Sequence, residues 1–366
     1  MTGRLDRAVA ALVPPFAMAA VGLARDGQAP RCHIATAPGL AATPDTMFRV
    51  ASISKIVVGQ VARQVLEAAG HGPDMAAEEA LGFALRHPAA PERPIRVGAL
   101  AAHHAGLTDA GGYLVPPGID LADWIAAQGD AIWGPEPPGA VFRYCNLGYL
   151  LLAAVAERLA GDRFDHLAAR LVLGPAGIAG GFNWSGVAPA RRADHLPIFR
   201  RDATGLVPQI DTQLAPEGIL GPDGAPALTG AYRLGRDVAR LSPQGGLRLS
   251  LSGLLRLADR LRDAPRDWLW SAGDSPVDGP ADLFARYGWG VQMLDDPAIY
   301  PRPLVGHFAN AHGMVGGVWR DDAARSRLVY ILNGLPMDDD PDDDRLRPQE
   351  AALLKALAQE CPDARP

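Results

Sequence analysis

The hydrophobic residues of the chain form two kinds of pattern, one typical of helices and one typical of strands. A mostly apolar stretch runs from Ile53 to Ala69 and stops at Gly70, which predicts a largely buried helix that ends at a glycine. Helical spacing predicts six further helices, at Ala76 to Arg86, Ile95 to His103, Leu121 to Gln128, Leu147 to Ala160, Leu249 to Arg262 and Arg347 to Gln359.

Strands are predicted near both ends of the chain. After a short helix that ends at Pro14-Pro15, two strands are predicted on either side of a turn at Asp26-Gly27. Three more strands are predicted near the C-terminus. These strands are Ala17 to Ala24, Arg31 to Thr36, Gly288 to Leu294, Gly317 to Arg320 and Leu328 to Leu332. Residues 186–233 are predicted to be irregular, and the acidic segment Asp338 to Asp344 to be a solvated loop.

This order of elements predicts an α/β fold of the α+β kind. An antiparallel sheet is built from both termini and flanked by helices, and a mainly helical domain is inserted between its two halves. We expect residues 1–66 and 235–366 to form the sheet domain and residues 67–234 the inserted domain. The active site is expected between the two.

The net charge and the cysteine content exclude several classes of binding partner. The 366 residues are 48% hydrophobic and carry a formal charge of -6, so there is no basic field for nucleic acid or an anionic membrane. Three cysteines without ligand spacing suggest neither a disulfide framework nor a zinc site. We expect a small-molecule substrate, no cofactor and no metal ion; the oligomeric state is left open.

The first residues admit two interpretations. Residues Ala8 to Ala24 are uncharged and follow two arginines, as in a signal peptide, but Pro14-Pro15 interrupts them and a predicted strand uses their second half. A cytoplasmic location is therefore favoured, with the signal peptide as the alternative.

Lysine is rare in this chain. The 35 basic residues include only Lys55 and Lys355. A base catalyst must lose a proton, which a buried ammonium can do and a guanidinium cannot. Lys55 follows Ser52 by three residues at the start of a predicted helix, so both side chains share one face and a nucleophile lies beside a plausible base.

Five motifs follow one another in order along nearly the whole chain. They are Ser52-Ile53-Ser54-Lys55 (S-x-x-K), Leu100 to Leu107 (LLTHTSGL-like), Tyr144-Cys145-Asn146 (Y-x-N), Gln244-Gly245-Gly246-Leu247 (a GGL segment) and Gly306 to Met314 (an H-x-G-like third motif). Together they resemble the motifs of penicillin-recognising serine enzymes, in particular class C beta-lactamases and their relatives.

The resemblance implies the roles of the first three catalytic residues. Ser52 attacks an ester or amide carbonyl, Lys55 and Tyr144 exchange the proton, and Asn146 hydrogen-bonds Lys55 or the substrate. From the residues alone, Tyr144 is also compatible with a core tyrosine and Asn146 with a helix N-cap. Cys145 is expected to be a small buried filler.

The third motif departs from the family pattern. The resemblance places the oxyanion hole at the N-H groups of Ser52 and Asn310, the latter on an edge strand. His307 replaces a lysine, so a permanent cation for a substrate carboxylate is missing at neutral pH. Ala309 replaces a glycine and adds a methyl where acyl substrates approach the strand. Both changes favour esters, small amides or peptides over penicillins.

Three functions follow in order of preference. The first is a metal-independent esterase or amidase that forms an acyl-enzyme on Ser52. The second is a true beta-lactamase or D-amino-acid peptidase, which the missing lysine disfavours. The third is an idle sensor module that traps an acyl group without turnover.

We expect His103 and His104 to pack or hydrogen bond, and not to bind metal, because no third ligand is suggested.

Overall fold

The computed structural model describes residues 3–12, 16–116, 118–209, 231–263, 266–278, 283–336 and 346–361. Its α-helices are α1 (Arg4–Ala10), α2 (Ser54–Ala68), α3 (Ala77–Leu81), α4 (Val97–Ala101), α5 (Leu121–Gln128), α6 (Asn146–Ala160), α7 (Phe164–Ala168), α8 (Pro189–Ala193), α9 (Leu251–Arg260) and α10 (Pro348–Glu360).

The strands are β1 (Met18–Arg25), β2 (Arg31–Thr36), β3 (Phe48–Arg49), β4 (Phe142–Arg143), β5 (Gly181–Phe182), β6 (Ile198–Asp202), β7 (Gly205–Gln209), β8 (Leu247–Leu249), β9 (Trp270–Ser271), β10 (Val277–Asp278), β11 (Arg286–Gly288), β12 (Val291–Leu294), β13 (Leu304–Ala311), β14 (Met314–Asp321), β15 (Ser326–Asn333) and β16 (Leu335–Pro336).

An eight-stranded antiparallel sheet joins the two ends of the chain. Its strand order is β2-β1-β15-β14-β13-β12-β11-β9, and β1 pairs along its whole length with β15. The sheet confirms the predicted α+β fold and the predicted N-terminal hairpin. The exact division into a sheet domain and an inserted helical domain stays a prediction.

Helices cover the central strands of this sheet. Helix α9 packs against β1, β14 and β15, while α1 contacts β1 and β2. Residues Met18 to Ala24 of β1 are all buried, which explains why they form one continuous apolar run without alternation. Among the described residues, none of the helices is long and apolar enough to cross a membrane.

Two predicted helices are shorter in the structure. The prediction for Ala76 to Arg86 was wrong beyond Leu81, because Gly82 adopts a left-handed conformation (φ 69°) and ends α3. The helix predicted from Ile95 to His103 contracts to α4, and His103 itself has a positive φ of 55°. Helix α7 was not predicted.

Two other segments differ from the prediction in their type of secondary structure. The strand predicted from Gly288 to Leu294 is two strands, since Trp289 and Gly290 both have positive φ and form a turn between β11 and β12. Residues 186–209 are not irregular but contain α8 and the hairpin β6–β7. Residues 210–230 of that stretch, and the acidic segment Asp338 to Asp344, lie outside the described residues.

Candidate active site

Ser52 lies in a tight turn that leads into the central helix. The turn Ala51–Ile53 is a 3-10 helix directly before α2, and Ser52 is 9% exposed. Ala51 has a φ of +44°, which is unusual for a residue with a side chain, so the backbone is strained next to Ser52. The strain is typical of a position whose geometry the surrounding structure imposes.

Lys55 is fully buried beside Ser52. Its Nζ atom donates to three oxygens: Ser52 Oγ at 3.1 Å, Asn146 Oδ1 at 2.7 Å and the Gln244 carbonyl at 3.1 Å. Three acceptors match the three protons of an ammonium group. The S-x-x-K, Y-x-N and GGL motifs, which are far apart in sequence, therefore converge on one nitrogen.

The GGL segment is held by two buried arginines. Arg49 Nε donates to the Gly245 carbonyl and Arg248 Nη1 to the Gly246 carbonyl, each at 2.8 Å. These bonds hold the two carbonyls that directly follow the Gln244 carbonyl, and so they restrict the backbone next to the oxygen that accepts from Lys55. A carbonyl held in this way supports Lys55 without contributing a titratable group.

Tyr144 lies over Lys55. The Lys55 Nζ is 4.7 Å from the centroid of the Tyr144 ring, which is within range of a cation-π contact. The ring also packs on His103, with centroids 4.3 Å apart, and on Phe308 at 5.7 Å. Tyr144 is half-buried and packs against core residues, and its catalytic role stays a prediction.

Asn146 is the first residue of α6 and faces Lys55. The interpretation of Asn146 as a helix N-cap was wrong, because Cys145 occupies the cap position. The helix N-H groups are satisfied instead by Asp109, whose carboxylate accepts from the backbone N-H of Asn146 at 2.8 Å and of Leu147 at 3.0 Å. Asp109 comes from a loop 37 residues earlier and was missed by sequence reasoning, which stopped the LLTHTSGL-like block at Leu107.

His307 is buried in a directed chain of hydrogen bonds. Its Nδ1 donates to the Phe308 carbonyl at 2.6 Å, and its Nε2 accepts from the Tyr287 hydroxyl at 2.8 Å. The Tyr287 oxygen accepts from His103 Nε2 at 3.1 Å, and His103 Nδ1 accepts from the Cys145 N-H at 3.0 Å. The chain ends at the Phe308 carbonyl, which accepts, and at the Cys145 N-H, which donates. These two ends determine which ring nitrogen of each neutral histidine carries the proton.

Burial and charge also keep both histidines neutral. Burial, and then the charge of Lys55, lower the pKa of His307 to about 3. The pKa of His103 lies well below its ordinary value, first because of burial and then because of Lys55. His307 therefore offers no cation, and its two ring nitrogens bond to protein groups.

Residues Ala309 and Asn310 lie on β13, which is an interior strand of the sheet and not an edge strand as expected. The pairing of β12 with β13 ends at Gly306, so one side of β13 is open beyond this point, and β13 contacts the turn that carries Ser52. Ala309 is buried. The predicted effect of its methyl group on acyl substrates stays a prediction.

The register of β13 orients the Asn310 backbone. His312 and Gly313 both have positive φ (57° and 92°) and form a two-residue turn, which makes Ala311 and Met314 a hydrogen-bonded pair. By alternation Asn310 and Val315 are a non-hydrogen-bonded pair, so the Asn310 N-H points away from β14. This is the orientation that an oxyanion donor on the open side of β13 requires.

The remaining site candidates have structural partners. His104 Nε2 bonds to the Ser275 hydroxyl at 3.1 Å. Burial, and then Asp109, raise the pKa of the Cys145 thiol well above its usual range, as expected for a buried filler. Within the described ranges there is no group of three or more His, Cys, Asp or Glu side chains that could hold a metal ion.

Comparison with known proteins places this site in context. The model of the family described as Beta-lactamase matches residues 9–352. Penicillin-binding protein 4 of Amycolatopsis lactamdurans is 30% identical over 132 residues, which span 35% of this chain and only 33% of that protein.

Solved structures of similar fold cover nearly the whole chain. The D-amino acid amidase from Ochrobactrum anthropi SV3, complexed with L-phenylalanine amide, has a TM-score of 0.71 at 14% identity and covers 98% of this chain and 99% of its own. The Beta-lactamase/D-alanine carboxypeptidase from Yersinia pestis has a TM-score of 0.66 at 14% identity, with 98% and 95% covered. At these identities the likeness shows the shared fold.

Proposed function

The chain belongs to the beta-lactamase family, and we propose that it is a serine hydrolase that cleaves small esters or amides through an acyl-enzyme on Ser52. One observation carries the proposal: the buried Lys55 Nζ lies 3.1 Å from Ser52 Oγ and is held there by Asn146 and Gln244. This distance permits direct proton transfer between the two side chains.

In the proposed acylation, the Lys55 ammonium first gives up one of its three protons to solvent, so that the neutral amine faces Ser52 Oγ. It takes the Ser52 proton while Oγ forms a bond to the substrate carbonyl carbon. The tetrahedral oxyanion accepts hydrogen bonds from the N-H groups of Ser52 and Asn310, which contribute several kcal/mol in the transition state. Collapse of the intermediate breaks the bond to the leaving group, which receives a proton through Tyr144 and Lys55.

In deacylation the same groups work in reverse. A water molecule replaces the leaving group, gives its proton to Lys55 or Tyr144, and attacks the Ser52 ester. The acid leaves and Ser52 regains its proton, so no net change occurs in the enzyme.

The charge around the third motif supports uncharged acyl groups as substrates. His307 occupies the position where relatives that act on penicillins carry lysine, and here it is neutral and bonded to Tyr287 and Phe308. A substrate with a free carboxylate next to the scissile bond finds no cation at this position. Amino acid amides, the substrate class in the name of the amidase neighbour, lack that carboxylate and are the preferred amide series.

The test compares the wild type with Ser52→Ala on p-nitrophenyl butyrate and on D- and L-phenylalanine amide. We expect Ser52→Ala to lower kcat by more than about 10³-fold. Mass spectrometry after a fluorophosphonate probe should place one adduct on Ser52, and Ser54→Ala should keep that adduct. Equal rates in the wild type and Ser52→Ala would exclude Ser52 as the nucleophile.

The same assays separate the alternatives. Turnover of nitrocefin at a rate comparable to that of the esters would support a beta-lactamase, whereas an acyl adduct that persists for hours would support the sensor module.

A further inference from the structure

Asp109 is the most heavily hydrogen-bonded carboxylate near Lys55 in the described part of the chain. It accepts from the Cys145 thiol at 3.2 Å and the backbone N-H groups of Asn146 and Leu147, and also from the Asn146 side-chain Nδ2 at 2.8 Å. Three of these donors belong to the first turn of α6 or its cap, but the fourth belongs to the site.

The bond to Nδ2 fixes the direction of the Asn146 amide. A carboxylate can only accept, so the amide nitrogen must face Asp109 and the amide oxygen must face Lys55. The opposite orientation would put the amide N-H groups against the Lys55 ammonium and the oxygen against the carboxylate. The Asn146 Oδ1 is the shortest of the three contacts of Lys55 Nζ, at 2.7 Å, so its direction matters for where that nitrogen lies.

We propose that Asp109 is a positioning residue for acylation, which acts through Asn146 to hold Lys55 against Ser52. The proposal rests on the proposed function. The relay has three hydrogen-bonded links: Asp109 to Asn146, Asn146 to Lys55, and Lys55 to Ser52. The Asn146 amide dipole is aligned between a carboxylate and an ammonium, which stabilises both charges.

A purely structural role for Asp109 as the cap of α6 makes a different prediction. The cap bonds use backbone N-H groups of Asn146 and Leu147, which remain when the Asn146 side chain is removed. The positioning role uses the side-chain Nδ2, which does not remain. A double-mutant cycle between Asp109→Asn and Asn146→Ala therefore separates the two roles.

The cycle is measured as kcat/KM for p-nitrophenyl butyrate. In the wild-type background we expect Asp109→Asn to lower kcat/KM by about 10- to 100-fold, mainly in kcat, because the base is displaced from the nucleophile. In the Asn146→Ala background the same substitution should cost less than about threefold. An equal loss in both backgrounds would reduce Asp109 to a helix cap and overturn the proposal.

A pH profile gives a second measurement, which reports the charge behind Asn146. Removing a negative charge behind Asn146 makes the Lys55 ammonium less favourable, so the acid limb of kcat/KM should move to lower pH in Asp109→Asn. The matched control is Asp120→Asn, because Asp120 caps α5 through the Ala122 N-H at 2.8 Å. This control should keep the wild-type profile, and an unmoved profile in Asp109→Asn would contradict the proposal.

Failure of the positioning role differs from failure of the proposed function. If Ser52 is not the nucleophile, Ser52→Ala retains activity. If only the positioning role fails, turnover depends on Ser52 but Asp109→Asn retains the wild-type kcat/KM.

Discussion

The Tyr287 hydroxyl lies 2.8 Å from His307 Nε2 and donates to an imidazole that burial and the charge of Lys55 keep neutral. Because His307 Nδ1 also donates to Phe308, adding a proton to Nε2 would force the Tyr287 hydroxyl to turn away. His103 Nε2 donates to the same hydroxyl oxygen, so this rotation would also change the geometry of the His103 bond. Neutrality at His307 is thus coupled to the packing of the site.

We predict that His307→Gln weakens the acid dependence of stability. The pKa of His307 is lowered to about 3 in the folded protein, against an ordinary value of 6.5, so its contribution to stability is present above pH 6.5 and is lost as the pH falls toward 3. Between pH 6.5 and pH 5 the loss is on the order of 1 to 2 kcal/mol. Urea unfolding at several pH values should show a smaller loss in His307→Gln.

The control for this prediction is the exposed His71, since His71→Gln leaves the buried hydrogen-bond chain intact. Identical pH dependence in His307→Gln and the wild type would contradict a neutral, buried His307.

Lys55→Arg should abolish acylation while preserving positive charge. Arginine does not lose its proton in proteins and cannot act as the base. We expect no fluorophosphonate adduct on Ser52 by mass spectrometry and no ester hydrolysis above background. The exposed Lys355 provides a matched control, because Lys355→Arg makes the same chemical change on the surface and should keep full activity. A folded, acylated Lys55→Arg enzyme would exclude Lys55 as the base.

The sequence was sufficient to predict two of the three groups that meet Lys55 Nζ. Ser52 and Asn146 lie in the S-x-x-K and Y-x-N motifs, and the buried helix after Ser52 follows from its continuous apolar run. The GGL segment was found as a motif, but the contact of the Gln244 carbonyl with Lys55 was not predicted. The N-terminal hairpin was also predictable, because turn residues separate two strand patterns.

The supporting groups could not be predicted in the same way. Asp109 caps a helix that begins 37 residues later, and Tyr287 meets His307 across the sheet, so neither leaves a local pattern in the sequence. The short hairpin β6–β7 joins a sheet in which β6 pairs with Leu335 and Pro336, far along the chain. Such long-range contacts decide structure where local propensity is weak.

Glu350 should make the protein less stable as the pH rises. Burial raises its pKa to about 7, so it keeps a proton in the folded state that it loses near pH 4.5 when unfolded. Its contribution is therefore present below pH 4.5 and is lost as the pH rises through 7. We expect Glu350→Gln, which keeps an oxygen for the Tyr330 hydroxyl at 2.9 Å, to flatten this slope by about 1 to 3 kcal/mol in urea unfolding between pH 5 and pH 8.

The half-exposed Glu67 is the comparison for Glu350, and Glu67→Gln should retain the wild-type slope. An unchanged slope in Glu350→Gln would show that Glu350 is ionised in the folded protein.

Gly59→Ala should displace Lys55 by changing how α2 packs. A Cβ atom at Gly59 would lie 1.8 Å from the Trp289 carbonyl oxygen, and a Cβ atom at Gly290 in the same turn would lie 1.9 Å from the Lys55 carbonyl oxygen. Backbone meets backbone at both points, so no flexible side chain can yield and the helix must shift by more than 1 Å. We expect a loss of about 1 to 3 kcal/mol in stability and about 10- to 100-fold in kcat, measured below the unfolding temperature.

Gly72→Ala is the control, because no heavy atom lies within 4 Å of its Cβ, and it should change neither quantity. A folded Gly59→Ala enzyme with wild-type kcat would show that Lys55 tolerates a shift of its helix, and that the three acceptors of its ammonium group move with it.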